Sequence, residues 1–161
     1  MNAAAKPVLE VLRLNTALFE KGLSGLEPAD AERRVVLGSN PIIWIAGHLA
    51  WARFGMSSML GEPLPSPWGS VFAKGAKPDE SPTLPSPEDV LSRWREVSRQ
   101  LDERLSKATP EQLGAAAPRP FPIGDKSVLG ALTFLTYHEG YHLGQMAMIR
   151  KALGLSRLVD A

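Results

Sequence analysis

The chain has three histidines, His48, His138 and His142, and two of them lie in the stretch TYHEGYHLGQM, residues 136–146. On a helix, H-E-x-x-H sets two imidazoles one turn apart, about 6 Å along the axis, on one face where they can share a metal ion. The same letters mark zinc peptidases, whose glutamate is the general base. His48 sits in IIWIAGHLAWARFGM, residues 42–56, where a partnerless imidazole carries a desolvation cost. Two arrangements remove that cost. Either all three rings converge on a divalent cation, or they form a hydrogen-bonded core triad. The first leaves coordination positions open, as catalytic sites do. Zinc and nickel suit three imidazoles best, with manganese and iron as further candidates. Such an ion makes a bound water or low-molecular-weight thiol nucleophilic at neutral pH.

The peptidase reading fails on what surrounds the pair. A zincin takes its third ligand downstream, yet LGQMAMIRKALGL after the second histidine offers neither His nor acid. No strand pattern is present to hold an extended peptide. Glu139 lies about 100° from His138 and about 60° from His142 on a helical wheel, at the edge of the site. It is a weak catalytic candidate, set against a role as hydrogen-bonding partner or solvated charge. Gln145 is the other weak candidate; it either steadies a ligand ring or a metal-bound water, or satisfies a neighbouring helix. Trp44, Ile45, Trp51, Ala52 and Gly55 share the face of His48, where Trp44 is either pocket wall or core. Tyr137 and Tyr141 flank the histidine pair.

Four segments of helical periodicity must position these residues. The first runs from about Ala4 to Lys21, with Gly22 and Gly25 available to stop it. The second opens on Asn40 as cap and Pro41 at the first helical position, and runs to Gly61. The third opens on Ser86, Pro87 and Asp89 as a capping box and is amphipathic. The fourth starts near Asp125 or Ser127, runs to Gly154, and is apolar nearly all round, which predicts the central helix. Short helical turns are expected within residues 27–36 and 109–113. Residues 62–85 hold six prolines and no periodicity. So long a connection is a functional loop or the crossover between two parallel helices. Within it, Trp68 and Phe72 either cover the site mouth or pack at a dimer surface.

Composition removes several function classes. With 18 Lys and Arg against 17 Asp and Glu and no basic run, nucleic acid is a poor partner. The absence of Cys excludes thiolate zinc sites, disulfides and a cysteine nucleophile, so any thiol comes from outside. The opening MNAAAKPVLEVLRLN is neither signal peptide nor membrane span. One cytoplasmic all-α domain over residues 1–161 is expected.

NPIIWIAGHLAWAR (residues 40–53) and LGALTFLTYHEGYHLGQMAMIRKALGL (residues 129–155) closely resemble the DinB/YfiT-like superfamily of four-helix-bundle metalloproteins. Its pattern is W-x-x-x-H on the second helix and H-x-x-x-H-x-G-Q on the fourth. The resemblance implies that His48, His138 and His142 are the metal ligands. It also implies an up-down-down-up bundle with the long crossover between helices 2 and 3, and a homodimer. Relatives of this kind include thiol-dependent S-transferases. The expectation is a metal-dependent transferase or hydrolase acting on a small molecule; the alternative is a stress-related protein that binds metal or a small molecule without turnover.

Overall fold

The computed structural model describes residues 2–77 and 83–159; residues 78–82 of the Pro-rich crossover lie outside them. Among the described residues there are six helices and no strand, only an isolated bridge between Ala116 and Ser127. They are α1 (Lys6–Leu23), α2 (Pro28–Ala31), α3 (Ile42–Ser58), α4 (Pro87–Lys107), α5 (Pro110–Gly114) and α6 (Val128–Ala152).

Local chemistry sets most of these boundaries. Ser86 accepts from the Asp89 amide and Pro87 follows at the first helical position, starting α4. Ser127 accepts from the Gly130 amide to start α6. Thr109 and Gln112 make a reciprocal capping box on α5, satisfying donors that have no partner within the helix. At α3 the boundary moves by one residue. Pro41 itself stands at the cap with extended ψ and no side-chain cap bond, so Asn40 does not cap.

The four long helices form a bundle in which α3 packs against α4 and α6, and α1 against α6 and α4. Side-chain pairings give the directions. Arg13 meets Asp102 while Arg95 meets Glu20, so α1 and α4 run antiparallel. Arg53 meets Ser98 and Arg104 meets the Ser57 carbonyl, so α3 and α4 run parallel. Asn15 meets Thr136 and Gly22 meets Arg150, so α1 and α6 run parallel. The topology is therefore up-down-down-up, and the Pro-rich segment is the crossover that parallel neighbours require.

The expectation that the last helix is central needs correction. α6 leaves Tyr137, Tyr141 and Met148 exposed, whereas α3 is buried along nearly its whole length. The crossover causes this by folding over α3 and seating the buried Phe72 ring where Gly47 has no side chain. A Cβ at Gly47 would run into that ring.

One residue touches all four long helices. Arg53 is 1% exposed, and its five N–H groups all have acceptors. Nε and Nη2 grip Glu139 at 2.7 and 2.9 Å, Nη1 donates to Thr16 and Ser98 Oγ, and Nη2 also donates to the Leu12 carbonyl. Trp94 lies flat against the guanidinium, 3.7 Å from ring centroid to Cζ, and stacks in turn on Phe19. Asn15 adds a donor to Glu139 at 3.1 Å. A buried ion pair with every hydrogen bond made repays its desolvation; one with a partner removed does not.

Candidate metal centre

α6 carries His138 and His142 one turn apart, and α3 brings His48 against them. His138 Nε2 lies 3.2 Å from His48 Nε2 and 3.1 Å from His142 Nε2. All three rings offer a nitrogen within 4.8 Å of the others. The outer nitrogens explain why these faces meet. His48 Nδ1 donates to the Phe72 carbonyl at 2.6 Å, and His142 Nδ1 donates to Gln145 Oε1 at 2.7 Å. Both bonds put the ring proton on Nδ1, so both Nε2 lone pairs point inward. A neutral His138 has one proton to share between them, and its own buried Nδ1 has no partner among the described residues. Three inward nitrogens with at most one inward proton form a cluster that could hold a cation.

The spacing agrees with that chemistry. Zn–N bonds of about 2.0–2.1 Å separate tetrahedral ligand nitrogens by about 3.3 Å, and the edge of an octahedron by about 2.9 Å. The observed 3.1 and 3.2 Å fall between these values. The rings are also held neutral, as ligation demands. Burial is the leading cause in each case. It lowers His48 against the opposing Phe72 carbonyl, and lowers His142 against the opposing Gln145 bond with help from His48. It takes His138 down to about 4, with His142, His48 and Arg119 adding repulsion.

The other sequence candidates divide sharply. Gln145 is at the site and orients His142, while its Nε2 donates to Tyr141 Oη at 3.2 Å. Glu139 points elsewhere. It is fully buried, with both oxygens engaged by Arg53 and Asn15, so it is neither a base facing the histidines nor a solvated charge. Its contribution is to bind α6 to α3 beside the residues that meet. Trp44 is buried and stacks on His48 at 5.3 Å, while Ile45 is core. Trp51, Ala52 and Gly55 line an open cleft of about 310 Å³ into which His48 and His138 look. Trp68 packs edge-on against Phe72. Sequence reasoning missed Arg53, Asn15 and the Phe72 carbonyl. Only Arg53 left a signal, as a lone charge in an apolar helix.

Fold and site define a four-helix-bundle protein with a three-histidine cluster able to hold a metal ion, open on one side to a cleft. The sequence profile of the DinB superfamily matches residues 12–146, and the chain belongs to that superfamily. Among solved structures it is similar to YfiT from Bacillus subtilis, described as a probable metal-dependent hydrolase with an unusual four-helix bundle topology. That likeness has a TM-score of 0.66 at 15% identity, over 97% of this chain and 91% of the other. No curated protein matches the chain. No helix among the described residues is long and apolar enough to cross a membrane.

Proposed function

We propose that this protein is a divalent-metal-dependent enzyme of the thiol S-transferase or hydrolase type, with His48, His138 and His142 as the ligands. The observation that carries the proposal is the convergence of three inward Nε2 atoms, with His48 and His138 lining an open cleft. A divalent ion held there supplies Lewis acidity and makes a water or thiol nucleophilic at neutral pH, without a protein Cys or Ser. Zinc or nickel suits the donors best, with manganese and iron as alternatives. The chain's own part is orientation and exclusion of water. Phe72 and Gln145 fix two imidazole tautomers, Trp44 backs His48, and the apolar cleft walls displace solvent from a small-molecule substrate. A cytoplasmic homodimer is the working unit in this proposal, and sedimentation equilibrium checks its mass.

A second reading, a metal or small-molecule binding protein without turnover, draws on one observation. Glu139 is withdrawn into its pair with Arg53, and no carboxylate of the described residues lines the cleft, which leaves the centre without an acidic general base. Elemental analysis of untagged protein beside His48→Ala tests the ligand set. About one equivalent of transition metal in the parent and a marked loss in the variant support it; no metal in either, even after reconstitution, ends the enzyme proposal. If metal-loaded protein then fails to speed the reaction of any tested thiol with an electrophile, and hydrolyses nothing, the binding reading stands.

A further inference from the structure

The cleft beside the histidines has an asymmetric charge. Its walls are largely apolar, with Trp51, Phe54, Met59, Leu135 and Phe121 among them, and it holds no carboxylate among the described residues. Two cations stand in its lining, Lys74 and Arg119. They come from separate connections, Lys74 from the crossover and Arg119 from the segment between α5 and α6. Neither has a carboxylate partner among the described residues, whereas Arg13, Arg33, Arg93, Arg95 and Arg99 on the outer surface are each ion-paired. Arg119 is set between Pro118 and Pro120, which stiffen the backbone. Its guanidinium rests over the Phe121 ring at 4.2 Å, a cation–π contact that holds the planar fork beside the cleft.

An apolar body with a single anionic group complements such a cleft. The apolar part gains by leaving water, and the anion meets a guanidinium whose paired N–H groups match a carboxylate, sulfonate or phosphoryl group. A neutral apolar ligand would leave both cations unmatched, and a cation would be repelled. We propose that Arg119, assisted by Lys74, anchors the anionic group of an amphiphilic substrate and turns its other end toward the histidine centre. This names the substrate class for the enzyme proposed above and rests on that reading for its catalytic meaning, although the recognition site stands on its own residues.

The test is a fluorescence titration of the full chain, as isolated and after metal removal by chelator, with two probes. They are 8-anilinonaphthalene-1-sulfonate and its neutral twin N-phenyl-1-naphthylamine, which lacks only the sulfonate. The expected result is saturable binding of the sulfonate about fivefold tighter than the neutral probe, the scale of partly exposed ion pairs. Arg119→Gln removes most of that preference and Lys74→Gln part of it. Arg99→Gln, which removes the same charge from the exposed face of α4, leaves the preference unchanged. Equal affinities for the two probes, equal losses in Arg119→Gln and Arg99→Gln, or no saturable binding of either probe overturns the proposal. Because the stripped protein is titrated too, an anion preference without bound metal separates this inference from the metal-enzyme reading. Full metal content with no preference defeats only the anchor.

Discussion

Replacing Arg53 by Met is the sharpest test of how this bundle holds its histidines. The side chain is 1% exposed and donates five hydrogen bonds, two of them to a carboxylate that is 0% exposed. Met fills similar volume but offers no donor. Thr16 and Ser98 keep bonds to the Leu12 and Trp94 carbonyls, so their loss is small. Glu139 keeps only Asn15, and a buried carboxylate stripped of its cation costs about 3–5 kcal/mol. For a domain of this size 1 kcal/mol moves the melting temperature by about 2–4 °C, so Arg53→Met should melt roughly 6–20 °C lower. Urea unfolding of metal-free protein at pH 7, followed by helical circular dichroism, measures the loss without contribution from bound metal. The double variant Arg53→Met/Glu139→Leu removes the stranded charge and should recover at least half of the lost stability. A loss below about 1 kcal/mol in the single variant, or a double variant less stable than the single, refutes this account of the pair. A double variant that regains stability but binds metal more weakly would show that the pair also sets the register between His48 and His138.

The remaining predictions concern the site. All three histidines have pKa values below their ordinary value, His138 at about 4. A folded-state value below the unfolded one means that protons favour the unfolded chain. The stability supplied by the neutral triad is therefore complete above about pH 6.5 and is lost as pH falls from there toward about 4. Metal-free protein should melt several degrees lower at pH 5 than at pH 7, above the range where ordinary carboxylates titrate; identical melts at the two pH values would contradict the burial of these rings. Gln145→Ala frees the His142 ring and should weaken metal binding about 10–100-fold in a chelator competition, with the fold intact. Gly47→Ala drives a methyl into Phe72 and should cost about 1–3 kcal/mol in thermal unfolding. It should also loosen metal binding, because the Phe72 carbonyl steadies His48; an unaltered melt would mean that the crossover yields freely.

The sequence determined what depends on near neighbours. The cap at Ser86 is readable because a hydroxyl before a helix can satisfy only the amides two or three residues ahead. His138 and His142 are readable as a pair because helical pitch alone puts them on one face. His48 joined them by elimination, since no other imidazole exists and an apolar helix gives an unpartnered one no shelter. Tertiary structure alone decided the rest. Whether Glu139 faces the histidines or the core depends on which neighbour lies on each side of α6, and Arg53, 86 positions away, settles it. The Phe72 carbonyl that fixes His48 is a backbone group, which every residue has, so no residue type announces it. α3 displaced α6 as the most enclosed helix for a related reason. An apolar sequence says that a surface can be buried, but the path of the crossover determines which surface is covered.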